Sequence, residues 1–244
     1  MNRAVLARLW PHASAAMLDA FVATAPDVFA RFHINTQLRF YHFMAQISHE
    51  SDGGTITAEN LNYTTAARIA EVWPKRFTIE TAREFVRNPQ GLGNRVYNGR
   101  MGNRAGSNDG FDFRGRGLLQ ITGRESYENM SKATGLDLVG IPGLAFEPKY
   151  ALQIASAEFE YLKCLPACDA DDINLVTKRV NGGLIGLPSR KAWLAKWRNE
   201  KFEVAPSSPK PAPVAPTPTP SPQHQGANFI AALVQFALSL FGKR

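Results

Sequence analysis

The sequence predicts a mostly α domain in which a long irregular or β-hairpin segment lines a cleft, followed by a short separate tail. Three observations carry that expectation. Apolar residues recur at the helical period through most of the first 204 residues, no long alternating pattern competes with them, and a glycine- and asparagine-rich stretch, Asn88 to Gly117, interrupts them. At 244 residues, 44% hydrophobic and 20% charged, the chain is long enough for one well-buried domain plus an appendage, and collagen-like and wholly disordered classes are excluded.

Taken in order, the N-terminal MNRAVLARLWPHASAAMLDAF starts with an arginine but has no unbroken apolar core, because Arg8, His12 and Asp19 interrupt it. No secretory leader is expected from it, and the protein is predicted to start in the cytoplasm and to act on its target after release. Next, Leu38, Tyr41, Ala45 and Ser48 beside Phe40, Phe43, Ile47 and Glu50 predict a helix that stops at the turn-forming Ser51, Asp52, Gly53 and Gly54. Ala66 to Trp73 reads as a further helix, and helical spacing returns at Tyr150 to Leu162 and Asp172 to Val180. Asn88 to Gly117 is too long for a simple connection and too charged for a core, which is the profile of a functional loop.

The sharpest change of composition comes at Ala205, where APSSPKPAPVAPTPTPSPQHQ holds eight of the sixteen prolines and reads as a semi-rigid, extended tether. The expected organisation is a folded domain over 1–204, a proline-rich linker over 205–227 and a short helix over 228–244. Within the last, Phe229 to Phe241 is an apolar run that as a helix would extend about 20 Å, short of the roughly 30 Å hydrocarbon layer. Asn228, Gln235 and Ser239 leave one narrow polar stripe ahead of Lys243 and Arg244, so the segment is expected to lie in a membrane interface; docking back on the domain is the alternative.

The formal charge of +7 attracts polyanions of any kind, nucleic acid, anionic lipid or the polymers of a bacterial envelope, and charge alone does not choose among them. Three of the 28 bases and no acid lie beyond Ala205, which leaves 25 bases against 21 acids before it, about +4. No Lys/Arg run suggests a nucleic-acid groove. Cys164 and Cys168 lack the further ligands of a zinc site and the spacing of a redox pair, and are read as structural thiols, with a disulfide as the alternative.

Glu50 shares a helical stripe with Phe40, Phe43 and Ile47, so its carboxyl is expected among apolar neighbours that raise its pKa and suit it to donate a proton. Alone, a capping or ion-paired glutamate is the simpler reading. Glu59 lies nine residues on, beyond the turn, where it can face Glu50 across a gap. Two carboxylates held apart are the minimum for glycosidic hydrolysis, one protonating the leaving oxygen and the other activating water. His42 and His49 lack companions at ligand spacing and are read as hydrogen-bonding or packing groups rather than metal ligands. Trp73, Trp193 and Trp197 could stack on sugars, but helical spacing marks them as core.

Ala45-Gln46-Ile47-Ser48-His49-Glu50-Ser51, Glu59-Asn60-Leu61-Asn62-Tyr63 and Arg114-Gly115-Arg116-Gly117-Leu118-Leu119-Gln120-Ile121-Thr122-Gly123 together resemble glycoside hydrolase family 19, which contains chitinases and many bacteriophage endolysins. Asn94-Arg95-Val96-Tyr97, Arg100-Met101-Gly102-Asn103 and Val180-Asn181-Gly182-Gly183 fit the same order, and the likeness covers roughly Leu38 to Trp197. The resemblance implies a bilobal lysozyme-like fold and an inverting mechanism without cofactor or metal. Glu50 would be the general acid and Glu59 the general base, their carboxyls about 6.5 to 9.5 Å apart to admit a water. Thr122 would hold that water. Tyr63, Gln120 and Asn181 would contact sugar hydroxyls and acetamido groups, and Arg190 would close the cleft behind Asn181. Nine residues is a shorter interval than in the family's plant chitinases, and Glu71 is the alternative base.

The expected function is that of an endolysin-type lysozyme cleaving the β-1,4 bond between N-acetylmuramic acid and N-acetylglucosamine in peptidoglycan, acting as a monomer with membrane contact through 228–244. Chitin is the alternative substrate. A lytic transglycosylase and a non-catalytic, membrane-active wall-binding protein are the remaining readings.

Overall fold

The computed structural model describes residues 1–55 and 58–200. The chain opens with α1 (Arg3–Leu9) and α2 (Ala15–Arg31), with Trp10 buried between them. Ser14 starts α2 by accepting the Met17 N–H, and Thr36 starts α3 (Gln37–Glu50) by accepting that of Arg39. Nine of the fourteen residues of α3 are buried, polar His42, Gln46 and Ser48 among them, so this helix is enclosed on nearly every side. It ends as expected at Ser51, whose hydroxyl donates to the Ile47 carbonyl at 2.6 Å and accepts the Gly54 N–H at 2.8 Å.

A smaller lobe follows. Thr65 caps α4 (Ala66–Val72), and α5 (Ile79–Ala82), the 3-10 turn Arg83–Phe85 and α6 (Pro89–Tyr97) wrap a core of Leu61, Ile69, Phe77, Phe85, Leu92, Val96 and Tyr97. The short α7 (Asp109–Asp112) packs on α6. Buried Asp109 accepts from the guanidinium groups of Arg104 and Arg124, which ties this stretch to the start of α8 (Arg124–Thr134). The chain is back in the larger core from Phe113 on, through Leu118, Leu119, Ile121 and the Tyr127 and Met130 of α8, and continues with the 3-10 turn Pro142–Phe146, α9 (Pro148–Tyr161), α10 (Cys164–Asp169), α11 (Ile173–Asn181) and α12 (Leu187–Arg198). There α9 lies along α2, and α12 along α3. The larger core runs from Leu6 to Trp197 and is separate from the smaller one.

Two cores in a mostly helical chain match the bilobal α architecture that was expected. The stretch Asn88 to Gly117 differs from its expectation. Much of it is helical, in α6 and α7, and in place of a hairpin the described residues show two isolated antiparallel bridges, Ala58 with Arg116 and Arg116 with Ile121. Gly91 and Gly93 hide α6 from a propensity reading, yet Gly93 is required: a Cβ there would meet Leu61 and Phe111 at 3.0 Å. Cys164 and Cys168 are buried free thiols in α10. The segments 205–227 and 228–244, expected to be a linker and a helix, lie outside the described residues.

Candidate active site

Glu50 is the last residue of α3 and is 5% exposed. Its Oε1 accepts from the Arg190 guanidinium of α12, and the same guanidinium reaches the Oε1 of Gln46. Gln46 lies one turn before Glu50 on the same helical face, so a single buried cation holds both. Burial pushes the Glu50 carboxyl above its usual range, and the charge and hydrogen bond of Arg190 work against it. Oε2 of Glu50 has no hydrogen-bonding partner among the described residues. Arg190 was expected to close the cleft behind Asn181 as one of the substrate-binding residues; its side chain is wholly buried and engaged with the acid's helix.

Glu59 sits on the connection that crosses from α3 to the smaller core. Its backbone N–H donates to the Gly115 carbonyl at 2.8 Å, which docks this connection on the Gly-rich turn. The Tyr97 hydroxyl, from the smaller core, donates to Glu59 Oε1 at 2.6 Å, and the Gly115 N–H approaches Oε2 at 3.5 Å. Burial raises the Glu59 pKa, and those two donors and the charges of Arg114 and Arg116 oppose it. Tyr97 is itself held far above its usual range, by burial and then by the charge of Glu59, so it acts as a donor.

Gly115 shows how closely the expected groups converge. A Cβ placed on it would lie 2.8 Å from Gln120 Oε1, 3.3 Å from Thr122 Oγ1 and 3.7 Å from Glu59 Cβ. Only a residue without a side chain leaves that space open. Gln120 adopts the left-handed conformation, φ 58°, and its amide donates to the Gly117 carbonyl at 2.9 Å. The Thr122 hydroxyl donates to the Gln120 carbonyl at 2.8 Å, which leaves its oxygen lone pairs to accept. Tyr63 is pushed up to about 12, by burial and then by the charge of Glu59, so it too lies within electrostatic reach of that carboxylate.

Asn181 ends α11 on the other lobe, buried, its Oδ1 without a partner among the described residues. Glu71, the alternative base, is exposed and pairs with Arg68 at 2.7 Å on the solvent side of α4. His42 meets Asp171 at 2.7 Å, and His49 meets Ser189 at 2.9 Å and is pushed down to about 4 by burial and the Arg190 charge. Trp197 is buried, Trp73 packs edge-on against Tyr63, and Trp193 lies against the larger core. Among the described residues no group of three His, Cys, Asp or Glu side chains could hold a metal ion.

Three participants escaped the sequence reading. Gln46 carried a usable signal, its position one turn before Glu50. Glu158 carried another, as a carboxyl in the buried run Ile154 to Phe159; burial and then the charge of Glu50 push it up to about 8. Tyr97 carried one as well, as the end of the Asn94-Arg95-Val96-Tyr97 block, but its pairing with Glu59 across 38 residues was not visible in the sequence.

No protein-family model matches the chain. It is similar to a curated protein of Haemophilus influenzae described as a glycosyl hydrolase family 19 domain-containing protein, at 36% identity over 155 residues, 61% of this chain and 72% of that one. Among solved structures, chitinase C of Streptomyces griseus superposes with a TM-score of 0.56 at 16% identity, covering 81% of this chain and 75% of that one. A chitinase C mutant gives a TM-score of 0.51 with the same identity and coverage. At such identity these two structures speak to the fold.

Proposed function

Because the chain belongs to glycosyl hydrolase family 19, and is therefore a glycoside hydrolase, we propose that it is an endolysin-type lysozyme. It cleaves the β-1,4 bond between N-acetylmuramic acid and N-acetylglucosamine in bacterial peptidoglycan, with inversion. The observation that carries this reading is the pair of carboxyls held by different cores, Glu50 enclosed beside Arg190 and Glu59 beside Tyr97 and Gly115.

Glu50, its pKa raised by burial, is the acid that protonates the glycosidic oxygen as the bond to the anomeric carbon breaks. Glu59 is the base. It takes a proton from a water that attacks the opposite face of the sugar, and Thr122, whose own proton is committed to the Gln120 carbonyl, accepts from that water and orients it. Tyr97 occupies Oε1 of Glu59, so Oε2 is the oxygen left to receive the proton. Tyr63, Gln120 and Asn181 are assigned to the sugar hydroxyls and acetamido groups.

Peptidoglycan is favoured over chitin by charge. A chain of net +7 is drawn to the anionic polymers of a bacterial envelope, whereas chitin is neutral. The apolar, cationic-ended segment 228–244 supports contact with a membrane surface. Chitin stands as the second reading because the solved neighbour is a chitinase. Digestion of purified peptidoglycan beside chitin, with products identified by mass, decides between them: reducing muramic acid ends support the proposal, anhydro ends point to a lytic transglycosylase, and products from chitin alone overturn it. Deleting 206–244 should leave digestion of purified peptidoglycan intact and weaken lysis of whole cells; unchanged lysis would remove the membrane role.

A further inference from the structure

Glu158 is a buried titratable group that the reaction above leaves unused. It sits on α9 and is almost fully enclosed, and its Oε2, like that of Glu50, meets no hydrogen-bonding partner among the described residues. The helices that carry the two carboxyls are in contact, since Phe43 of α3 meets Phe159 of α9 edge to face with ring centroids 5.2 Å apart. Burial, and then the charge of Glu50 whenever that group is ionised, push Glu158 up to about 8 and keep it protonated through neutral pH.

Arg179 of α11 also has a buried atom without a partner among the described residues, its Nη1. Cys164 of α10 is a buried thiol, raised by burial and in small part by Glu158 itself. Arg179 of α11 acts on the Cys164 thiol, and Arg190 of α12 is engaged with Glu50 and Gln46. On the remaining neighbours, α2 and α8, Asp27, Arg31, Glu125 and Lys132 face solvent. The 3-10 turn Pro142–Phe146 carries no ionisable side chain.

Acid catalysis converts Glu50 from a neutral group to an anion inside a low-dielectric interior. Arg190 meets that charge at Oε1 only. A carboxylic acid held neutral by burial can serve as a hydrogen-bond donor to such a charge, and two buried Oε2 atoms without partners among the described residues, on helices that touch at Phe43 and Phe159, are groups that an internal water can satisfy. We propose that Glu158 is a positioning residue that stays protonated through the cycle and donates through a bridging water to Glu50 Oε2, taking up part of the charge Glu50 acquires. The inference rests on Glu50 as the acid. No bond of Glu158 breaks; its proton is shared, and the reaction consumes only substrate and water.

The test compares Glu158→Leu with Glu158→Gln in the full chain. Leucine removes the donor, so the Glu50 anion loses support: kcat should fall about tenfold and the alkaline limb of the kcat profile should move to higher pH. Glutamine restores a donor, and both should return close to wild type. A loss of kcat with no movement of the limb, or an equal loss in both variants, would show a merely structural role and overturn the proposal. Infrared titration reads the pairing without any Glu158 variant. A protonated buried carboxyl band should persist in the wild type at neutral pH and titrate at lower pH in Glu50→Gln, where the repelling charge is gone. A wild type without that band at neutral pH overturns the proposal, whereas full activity in Glu50→Gln would sink the assignment of Glu50 as acid and leave the infrared result standing.

Discussion

The two lobes hold their carboxyls by different means. In the larger one, Glu50 is almost wholly enclosed and faces a full positive charge, Arg190; in the smaller one, Glu59 is half-buried and is held chiefly by neutral donors, the Tyr97 hydroxyl and the Gly115 N–H. Burial raises both groups, so what separates them is what opposes burial. An acid needs a proton to give and a counter-charge once it has given it. A base needs donors that favour its ionised form without consuming the oxygen that must accept. Each lobe supplies the set its carboxyl needs.

The largest test of this division is Glu50→Gln, which should lower kcat by at least about 100-fold with little change in KM; unimpaired turnover would take the larger lobe out of the chemistry. Tyr97→Phe comes next. It removes a hydrogen bond to the ionised form of Glu59, so kcat should fall about tenfold and the acidic limb of the profile should move to higher pH; an unmoved limb would mean that Glu59 is not the base. Gly115→Ala places a methyl group against Gln120, and its loss, about threefold to tenfold in kcat/KM, should leave the melting temperature nearly unchanged. A large stability loss there would mark the turn as structural.

The smallest effect concerns stability and belongs to the larger lobe alone. The pKa of Glu158 rises from 4.5 to about 8 on folding, so between those values the folded form keeps a proton that the unfolded chain has released. Stability from this group is complete below pH 4.5 and is lost as pH rises to about 8. The melting temperature should therefore fall across that window, by about 2 to 4 °C for each kcal/mol lost, and Glu158→Gln should flatten the slope. An identical slope in the variant would place the titration elsewhere.

Local order was legible in the sequence where one periodic signal sufficed. The stripe through Phe40, Phe43, Ile47 and Glu50 and the stop at Ser51 describe α3 as it stands, and the reading of Tyr150 to Leu162 and Asp172 to Val180 falls within a residue or two of α9 and α11. α6 was hidden because its glycines serve close packing rather than helix propensity. In the site, the Gly-rich turn was visible through its composition, but what Gly115 does there depends on two side chains of its own turn and on Glu59, which arrives from 56 residues away. The pairs Glu50 with Arg190 and Glu59 with Tyr97 join residues 140 and 38 positions apart, a separation at which periodicity carries no information. Arg190 was recognised as belonging to the site but read as closing the cleft behind Asn181, since nothing along the chain tells a buried cation from a presented one.

Ser48, two residues before Glu50, accepts the indole N–H groups of Trp10 at 2.8 Å and Trp197 at 2.9 Å. One hydroxyl oxygen thus fastens the first helical hairpin and the last helix to the same point on α3. For anyone grafting targeting modules onto this scaffold, the first and last described helices meet two residues before the acid. A module fused ahead of α1 or directly after α12 would therefore pull on the helix that carries the acid, and needs slack in its tether to leave the reaction centre in register.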